Sequence, residues 1–279
     1  MALKTATPRT YHVQSLERAL TILHCFSLRK PELSLGEICE LTGLARPTAF
    51  RLLSVLEGNR FVARTPDGLR YQVGIRAFEL GSVFLAHLSI ERVARPFMEE
   101  LGERYGMTCN LAILDEGQAV YIATEDQPGP LRYTPIIGYR HYVHCSALGK
   151  ALVADLPEAE IRAILRRRGM PALSERTITD PGKLLAELQQ VRAQGYAMDN
   201  QEGALGFCCL AVPIYGHQGK VAAMSISGPS PQFTSPTIRA MVRAMQASAR
   251  EISQQLGWRE ETWHDAIGVT AAARKTKRR

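Results

Sequence analysis

The sequence predicts an α+β chain in two parts, a small helical head closed by a hairpin and a larger body with a largely antiparallel sheet. Three observations carry this prediction. The chain has 279 residues, enough for two separate cores. Apolar residues recur at helical spacing up to Leu56, then alternate at strand spacing on either side of Pro66-Asp67-Gly68. Beyond Ser89, helical and strand-like stretches mix, and turn signals join several of the strands directly.

Residues 1–11 read as a disordered lead-in without the apolar core of a signal peptide. A first helix is expected over Ser15–Ser27, with Leu16, Leu20, Leu23 and Phe26 on its inward face and Pro31 beyond its end. Ser34 and Glu37 have the spacing at which two side chains satisfy free N–H groups of a helix start. They open a second helix, with Leu35, Ile38 and Leu41 inward, and Gly43 supplies the turn after it. Pro47 suits the first turn of a third helix, whose Ala49, Leu52, Leu53 and Leu56 fall on one face. Strands Phe61–Thr65 and Leu69–Val73 then flank the turn.

Two helices across a glycine turn, followed by a hairpin, make the plan of a winged helix-turn-helix over residues 12–74, with the helix pair at about 34–53 and the wing at 61–73. Once its leucines are buried, the third helix presents Arg46, Thr48, Phe50, Arg51 and Ser54 outward. Arginine can pair bidentately with guanine, and Thr48 can reach a phosphate or a base edge. Arg64 and Arg70 on the wing suit backbone phosphates. The charge agrees: residues 1–74 carry a net +4, residues 75–273 a net −2, and residues 274–279 five further positive charges. Only the head is built to meet a polyanion, so double-stranded DNA is the expected partner.

Residues 75–88 read as a linker helix whose Ile75, Phe78, Leu80, Val83 and Phe84 exceed what a solvated spacer needs, so it is expected to pack on a second subunit. In the body, residues 89–258, helices are expected over Ser89–Tyr105, Ser146–Ala154, Glu158–Arg168, Asp180–Gln194 and Ser235–Leu256. Pro96 is expected to kink the first of these or to delay its start. Asp180-Pro181 and Ser235-Pro236 each pair an N-cap with a proline at the first helical position. Strands are expected over Cys109–Leu114, Ala119–Thr124, Tyr196–Asp199, Cys208–Ile214 and Val221–Ser227. Asp115-Glu116-Gly117 and Tyr215–Gly219 are the hairpin turns that make the sheet largely antiparallel. Residues 259–279 lack a pattern and read as a basic, disordered tail.

Several function classes are disfavoured. The six cysteines show no C-x-x-C or zinc spacing and read as free thiols in a reducing compartment. There is no G-x-S-x-G elbow, P-loop, dinucleotide fingerprint or H-E-x-x-H. The strongest catalytic reading is a thiol nucleophile, either Cys145 beside His144 or Cys109. Adjacent residues on a strand point to opposite faces, however, so His144 would serve Cys145 poorly. A zinc site from His141, His144 and a cysteine is poorly spaced. The expectation is therefore no enzyme, no cofactor and no metal. No apolar run approaches the roughly 18 to 20 residues of a membrane span, so a cytoplasmic protein with no membrane partner is expected. A purely architectural DNA binder is a further reading, for which the body would be oddly large.

Over residues 12 to 258 the sequence resembles the IclR family of bacterial regulators. The matching stretches are SLERALTILHCF, LSLGEICELTGLARPTAFRLLSVLE, FVARTPDGLRYQVG, HCSALGKALVA, GYAMDNQEGALGFCCLAVPI and SISGP, in that order. The resemblance implies a GAF-like α/β effector-binding domain. It also implies dimers joined through the DNA-binding domains and linker helices, and often a tetramer of two dimers. Repression or activation of a catabolic operon, from a palindromic or near-palindromic operator, goes with it. Carried over position by position, the effector site takes Ala147 and Leu148 at a helix start, Asp199 in an acidic loop, and Cys209, Ser225 and Ser227 on two later strands. Leu205 and Phe207 offer apolar walls. Some family members have Gly and Ala where this chain has Ala147 and Leu148, which narrows or reshapes the pocket.

The residue chemistry supports the same site. Ser146 is a plausible N-cap, and the free amides after it favour an anion. Ser225 and Ser227, two apart on a strand, face one side. Arg132, Tyr133, His141 and Tyr142 lie on the segment leading into the helix and could shape or charge the pocket mouth. The expected effector is a small organic acid, an aromatic or α-keto carboxylate. Asp199 beside a carboxylate must be protonated, accept from a ligand hydroxyl, or turn towards backbone amides.

Overall fold

The computed structural model describes residues 12–27, 30–87, 89–127, 136–217 and 219–258. The lead-in, the basic tail, Leu88, Arg132 and Tyr133 lie outside the described residues. The chain divides into two units, residues 1–87 and 88–279.

The first unit runs α1 (Gln14–His24), β1 (Glu32–Leu33), α2 (Leu35–Thr42), α3 (Arg46–Gly58), β2 (Val62–Arg64), β3 (Tyr71–Val73) and α4 (Ile75–His87). The capping box at Ser34 forms as expected: Ser34 Oγ accepts the Glu37 N–H, and the Glu37 carboxylate accepts the Ser34 N–H at 2.8 Å. Gly43 ends α2 at φ 70°, a left-handed conformation that a side chain would strain. Ile22, Leu33, Ile38, Leu53, Leu56, Val62 and Tyr71 form the core, each full burial contributing about 1.5–3 kcal/mol.

Two expectations about facing fail here. Leu16 and Leu20 on α1 are exposed, and it is Ile22 that is buried, with Leu23 and Phe26 packed at the margin. Leu41 on α2 is exposed as well. Helical spacing marks an apolar stripe but does not say what covers it. The hairpin also gains a third strand, β1, in the order β1-β3-β2. On α4, Ile75, Phe78, Leu80 and Val83 are all exposed within this chain.

The second unit runs α5 (Ser89–Tyr105), β4 (Thr108–Asp115), β5 (Gln118–Glu125), β6 (Arg140–Tyr142), a 3-10 turn (Val143–Cys145), α6 (Ala147–Val153), α7 (Glu158–Arg168), α8 (Pro181–Gln194), β7 (Ala197–Asn200), β8 (Phe207–Gly216), β9 (Gly219–Pro229), a second 3-10 turn (Ser230–Gln232) and α9 (Ser235–Gln255). Its six-stranded sheet has the order β6-β5-β4-β9-β8-β7, with every pair antiparallel. The Asp115–Gly117 turn is a hairpin, with Glu116 and Gly117 both at positive φ. Helix α5 continues through Pro96 without a break. Asp180 caps α8 as expected, whereas α9 is capped by Thr234, one residue before the expected Ser235.

Helix α6 is the structural centre of this unit. All seven of its residues are buried, Lys150 included. It lies on a floor of small residues, Ala112, Ala119, Ala197, Ala211 and Ala223, which lets helix and sheet approach closely. A Cβ at Gly149 would sit 2.4 Å from Val143 Cα, so only glycine lets the 3-10 turn fold back onto the helix.

Candidate functional site

Arg46, Phe50, Arg51 and Ser54 are exposed on α3, and Thr48 is half-buried. Among the described residues Arg46 and Arg51 have no hydrogen bond or ion pair, while the Ser54 hydroxyl donates to the Phe50 carbonyl at 2.9 Å. The wing arginines are placed differently. Arg64 donates to the Tyr71 hydroxyl at 2.8 Å and to the Gly68 carbonyl, stacks over the Tyr71 ring, and meets Glu57 at 3.3 Å. Arg70 bridges to the capping-box Glu37 at 2.8 Å, tying wing to helix-turn-helix. Both are engaged within the fold, which spacing along the chain did not reveal.

In the second unit, one cavity brings together Ala147, Leu148, Asp199, Phe207, Cys209 and Ser227 from the expected set. Tyr121, His141, Ser146, Gly203, Ala204 and Cys208 complete its lining. Leu205 stands outside it, exposed, and Ser225 lies behind it, fully buried. Tyr142 also stays outside the lining, its ring against His144. The enclosed space is about 30 Å3, room for one or two waters.

Each polar wall has a physical setting. Ser146 Oγ accepts the Gly149 N–H at 3.1 Å, so the amides of Ala147 and Leu148 fall where a helix makes no backbone bonds of its own. Ser227 Oγ accepts from Asn110 at 3.1 Å and donates to the Thr108 carbonyl. Ser225 Oγ lies near the Cys209 thiol yet makes no hydrogen bond of ordinary geometry, leaving a buried hydroxyl unsatisfied. Asp199 is partly exposed as a residue, but its carboxyl turns inward and accepts the Glu202 N–H at 2.6 Å and the Gly203 N–H at 3.4 Å. Burial pushes that carboxyl up to about 7, aided by the Glu202 charge and opposed by the amides and Lys150. His141 is pushed down by burial, and among the described residues neither lysine nor arginine lines the cavity.

Sequence reading missed the cluster behind this wall. Lys150 on α6 is fully buried and bonds the Glu202 carboxylate at 2.6 Å, the Met198 carbonyl at 3.0 Å, and Glu187 on α8. The loop bearing Glu202 is also held by Ser174 and Thr177, whose hydroxyls donate to the Gln201 and Glu202 carbonyls at 2.7 Å each.

The thiol reading fails on geometry. His144 and Cys145 belong to a 3-10 turn, not to a strand, and His144 Nε2 is engaged with the Pro171 carbonyl at 3.1 Å. Cys145 lies 3.9 Å from His141 Nδ1 instead. Burial pushes its thiol up to about 12 and the His141 imidazole down, the reverse of a thiolate–imidazolium pair. Among the described residues no group of three or more His, Cys, Asp or Glu is placed to hold a metal. No described helix is long and apolar enough to cross a membrane.

A helix-turn-helix with an exposed cationic helix, joined in one chain to a pocketed α+β domain, defines a DNA-binding transcriptional regulator with an effector domain. Comparison with known proteins gives the family. Residues 15–66 match the IclR helix-turn-helix domain, and residues 83–254 match the C-terminal domain of the bacterial transcriptional regulator IclR. The chain is 33% identical over 248 residues to the HTH-type transcriptional regulator XynR of Escherichia coli K12, covering 88% of this chain and 98% of that one. A crystal structure of a Rhodococcus sp. RHA1 transcriptional regulator superposes with a TM-score of 0.77 at 32% identity, covering 88% of this chain and 99% of that one. An IclR homologue from Microbacterium hydrocarbonoxydans, crystallised with 4-hydroxybenzoate, shares the fold at a TM-score of 0.77 and 23% identity, covering 87% of this chain and 99% of that one. The chain belongs to the IclR family, a family of transcriptional regulators and not of enzymes.

Proposed function

We propose that this regulator controls a catabolic operon, by repression or activation, in response to a small organic acid bound in the α6 cavity. The observation that carries the DNA half is the pair Arg46 and Arg51, exposed and unpaired on α3 while Arg64 and Arg70 are engaged within the fold. Helix α3 enters the major groove with Arg46, Thr48, Phe50, Arg51 and Ser54 towards the bases, and the wing reaches phosphates with whatever Arg64 and Arg70 can release from their internal partners. Arg51→Ala is expected to weaken operator binding by about 1–3 kcal/mol in a mobility-shift titration. Wild-type affinity in that variant would overturn this orientation.

The exposed apolar residues of α1 and α4, Leu16, Leu20, Ile75, Phe78, Leu80 and Val83, support a homodimer or a tetramer of dimers reading a palindromic or near-palindromic site. The effector half rests on the cavity's helix-start amides and on the Ser227 hydroxyl in its lining. The 4-hydroxybenzoate bound by the Microbacterium homologue fits the acid class. In this chain about 30 Å3 is open, so an α-keto acid needs a small displacement, and an aromatic acid needs Phe207 and the 201–206 loop to move. A thermal-shift screen of carboxylic acids tests this reading, since a ligand of the native state raises the melting temperature. The double variant Ser225→Ala with Ser227→Ala should abolish the shift. No α-helical membrane span is needed for any of this, and a cytoplasmic setting fits the free thiols.

A further inference from the structure

We propose that Asp199 stands in the effector cavity as a protonated acid, and that an anionic effector therefore binds with net uptake of a proton whenever Asp199 begins ionised. This rests on the reading that the cavity takes an organic acid.

The charges around Asp199 do not balance. One ammonium, Lys150 from α6, stands among three acids: Glu187 from α8, Glu202 from the loop after β7, and Asp199 itself. The bonds made by Lys150 go to Glu187, Glu202 and the Met198 carbonyl, so it offers Asp199 no direct bond. Among the described residues, the other titratable groups facing Asp199 add no positive charge. His141 from β6 is held neutral by burial, and a Cβ at Gly203 would lie 3.5 Å from its ring and 3.2 Å from Asp199 Oδ2. The thiols of Cys145, Cys208 and Cys209 are all pushed up by burial and stay neutral.

Asp199 Oδ1 accepts the two loop amides, which leaves Oδ2 as the oxygen beside the cavity. An ionised Oδ2 would repel a ligand carboxylate, with no cation among the described lining residues to offset it. A protonated Oδ2 becomes a donor, and the repulsive wall becomes a hydrogen bond to the ligand. The same group then selects against neutral analogues that cannot accept so strong a bond.

Two measurements on the full chain separate this proposal from the reading beneath it. Infrared difference spectroscopy without ligand, between roughly pH 6 and pH 9, should show a protonated-carboxyl stretch in wild type that fades as pH rises and is missing in Asp199→Asn. A band that survives in Asp199→Asn, or no such band in wild type at roughly pH 6, overturns the proposal. Calorimetry with pyruvate and with 4-hydroxybenzoate, in two buffers of different ionisation enthalpy, should report uptake approaching one proton per anion at about pH 8. Wild-type affinity should fall up to tenfold per pH unit above the titration, and that slope should be absent in Asp199→Asn. Equal slopes in the two proteins overturn the coupling. Failure of both acids to bind, with the infrared band present, overturns the acid-effector reading and the coupling while leaving the proton on Asp199.

Discussion

Two lysines hold α6, Lys150 fully buried and Lys220 partly so, and they do so under opposite charge conditions. Lys220, on β9, sits at the C-terminal end of the helix, donating to the Ala151 carbonyl at 2.7 Å and the Leu152 carbonyl at 3.2 Å and meeting Asp155 at 3.0 Å. Tyr215 donates its hydroxyl to the same Asp155 at 2.8 Å. That cluster is two cations, Lys220 and Arg192 (which donates to the Ala154 carbonyl at 2.9 Å), one anion and the negative end of a helix, a set with no surplus acid. Lys150 instead answers two acids directly, with a third at close range. The comparison teaches where a fold keeps slack. A balanced cluster has no reason to titrate near neutrality, whereas one with surplus acid must take up a proton somewhere, and here it does so at the cavity wall.

The sharpest way to break this contrast is to remove the cations. Lys150→Met leaves Glu202 buried with no counter-charge and its second oxygen already without a partner, and should cost about 3–5 kcal/mol in urea unfolding. Lys220→Met should cost less, about 1–2 kcal/mol, because Asp155 keeps Tyr215 and is partly solvated. Equal losses would mean that charge balance is not what distinguishes the two ends.

A second test uses pH. Asp199 has its native carboxyl raised from the ordinary range near 3.9 to about 7, so the folded state binds the extra proton between those values. Its contribution is therefore full at low pH, and stability falls as pH rises through that window. Asp199→Asn removes the titration. Its melting temperature relative to wild type should be higher at about pH 8 than at about pH 5, a differential of roughly 2 kcal/mol after allowance for partial exposure. A difference independent of pH would place the proton elsewhere.

Much of this architecture was legible locally. The capping box at Ser34, the proline start of α3 and the hairpin turn at Glu116-Gly117 are each written within four residues, and the elements fall there. Strands β1 and β6 were not legible, since two or three residues cannot show alternation. The facing of Leu16 and Leu20 was misread because periodicity does not name the covering surface. At the cavity the family pattern supplied Ala147, Leu148, Asp199, Cys209 and Ser227, but Lys150 looked like one charge in an apolar helix. Its partners lie 37 and 52 residues away, and only the packing of α6 against α8 and β7 brings them together.

The smallest expected effect bears on the charge count itself. Glu187 is the most solvated of the three acids, with 30% of its side chain exposed, and its charge raises the cost of ionising Glu202. Glu187→Gln keeps an acceptor oxygen near Lys150 while removing one negative charge. The loss in stability should be at most about 1 kcal/mol, because a partly exposed ion pair contributes little. The informative quantity is the titration, not the stability. With one acid fewer, Lys150 answers Glu202 more fully, and the field on Asp199 becomes less negative. Its midpoint should then move down by a fraction of a pH unit, followed by the same infrared band in Glu187→Gln and wild type. An upward move, or none, would mean that burial alone holds the proton on Asp199 and that Lys150 and its acids are only a structural clasp.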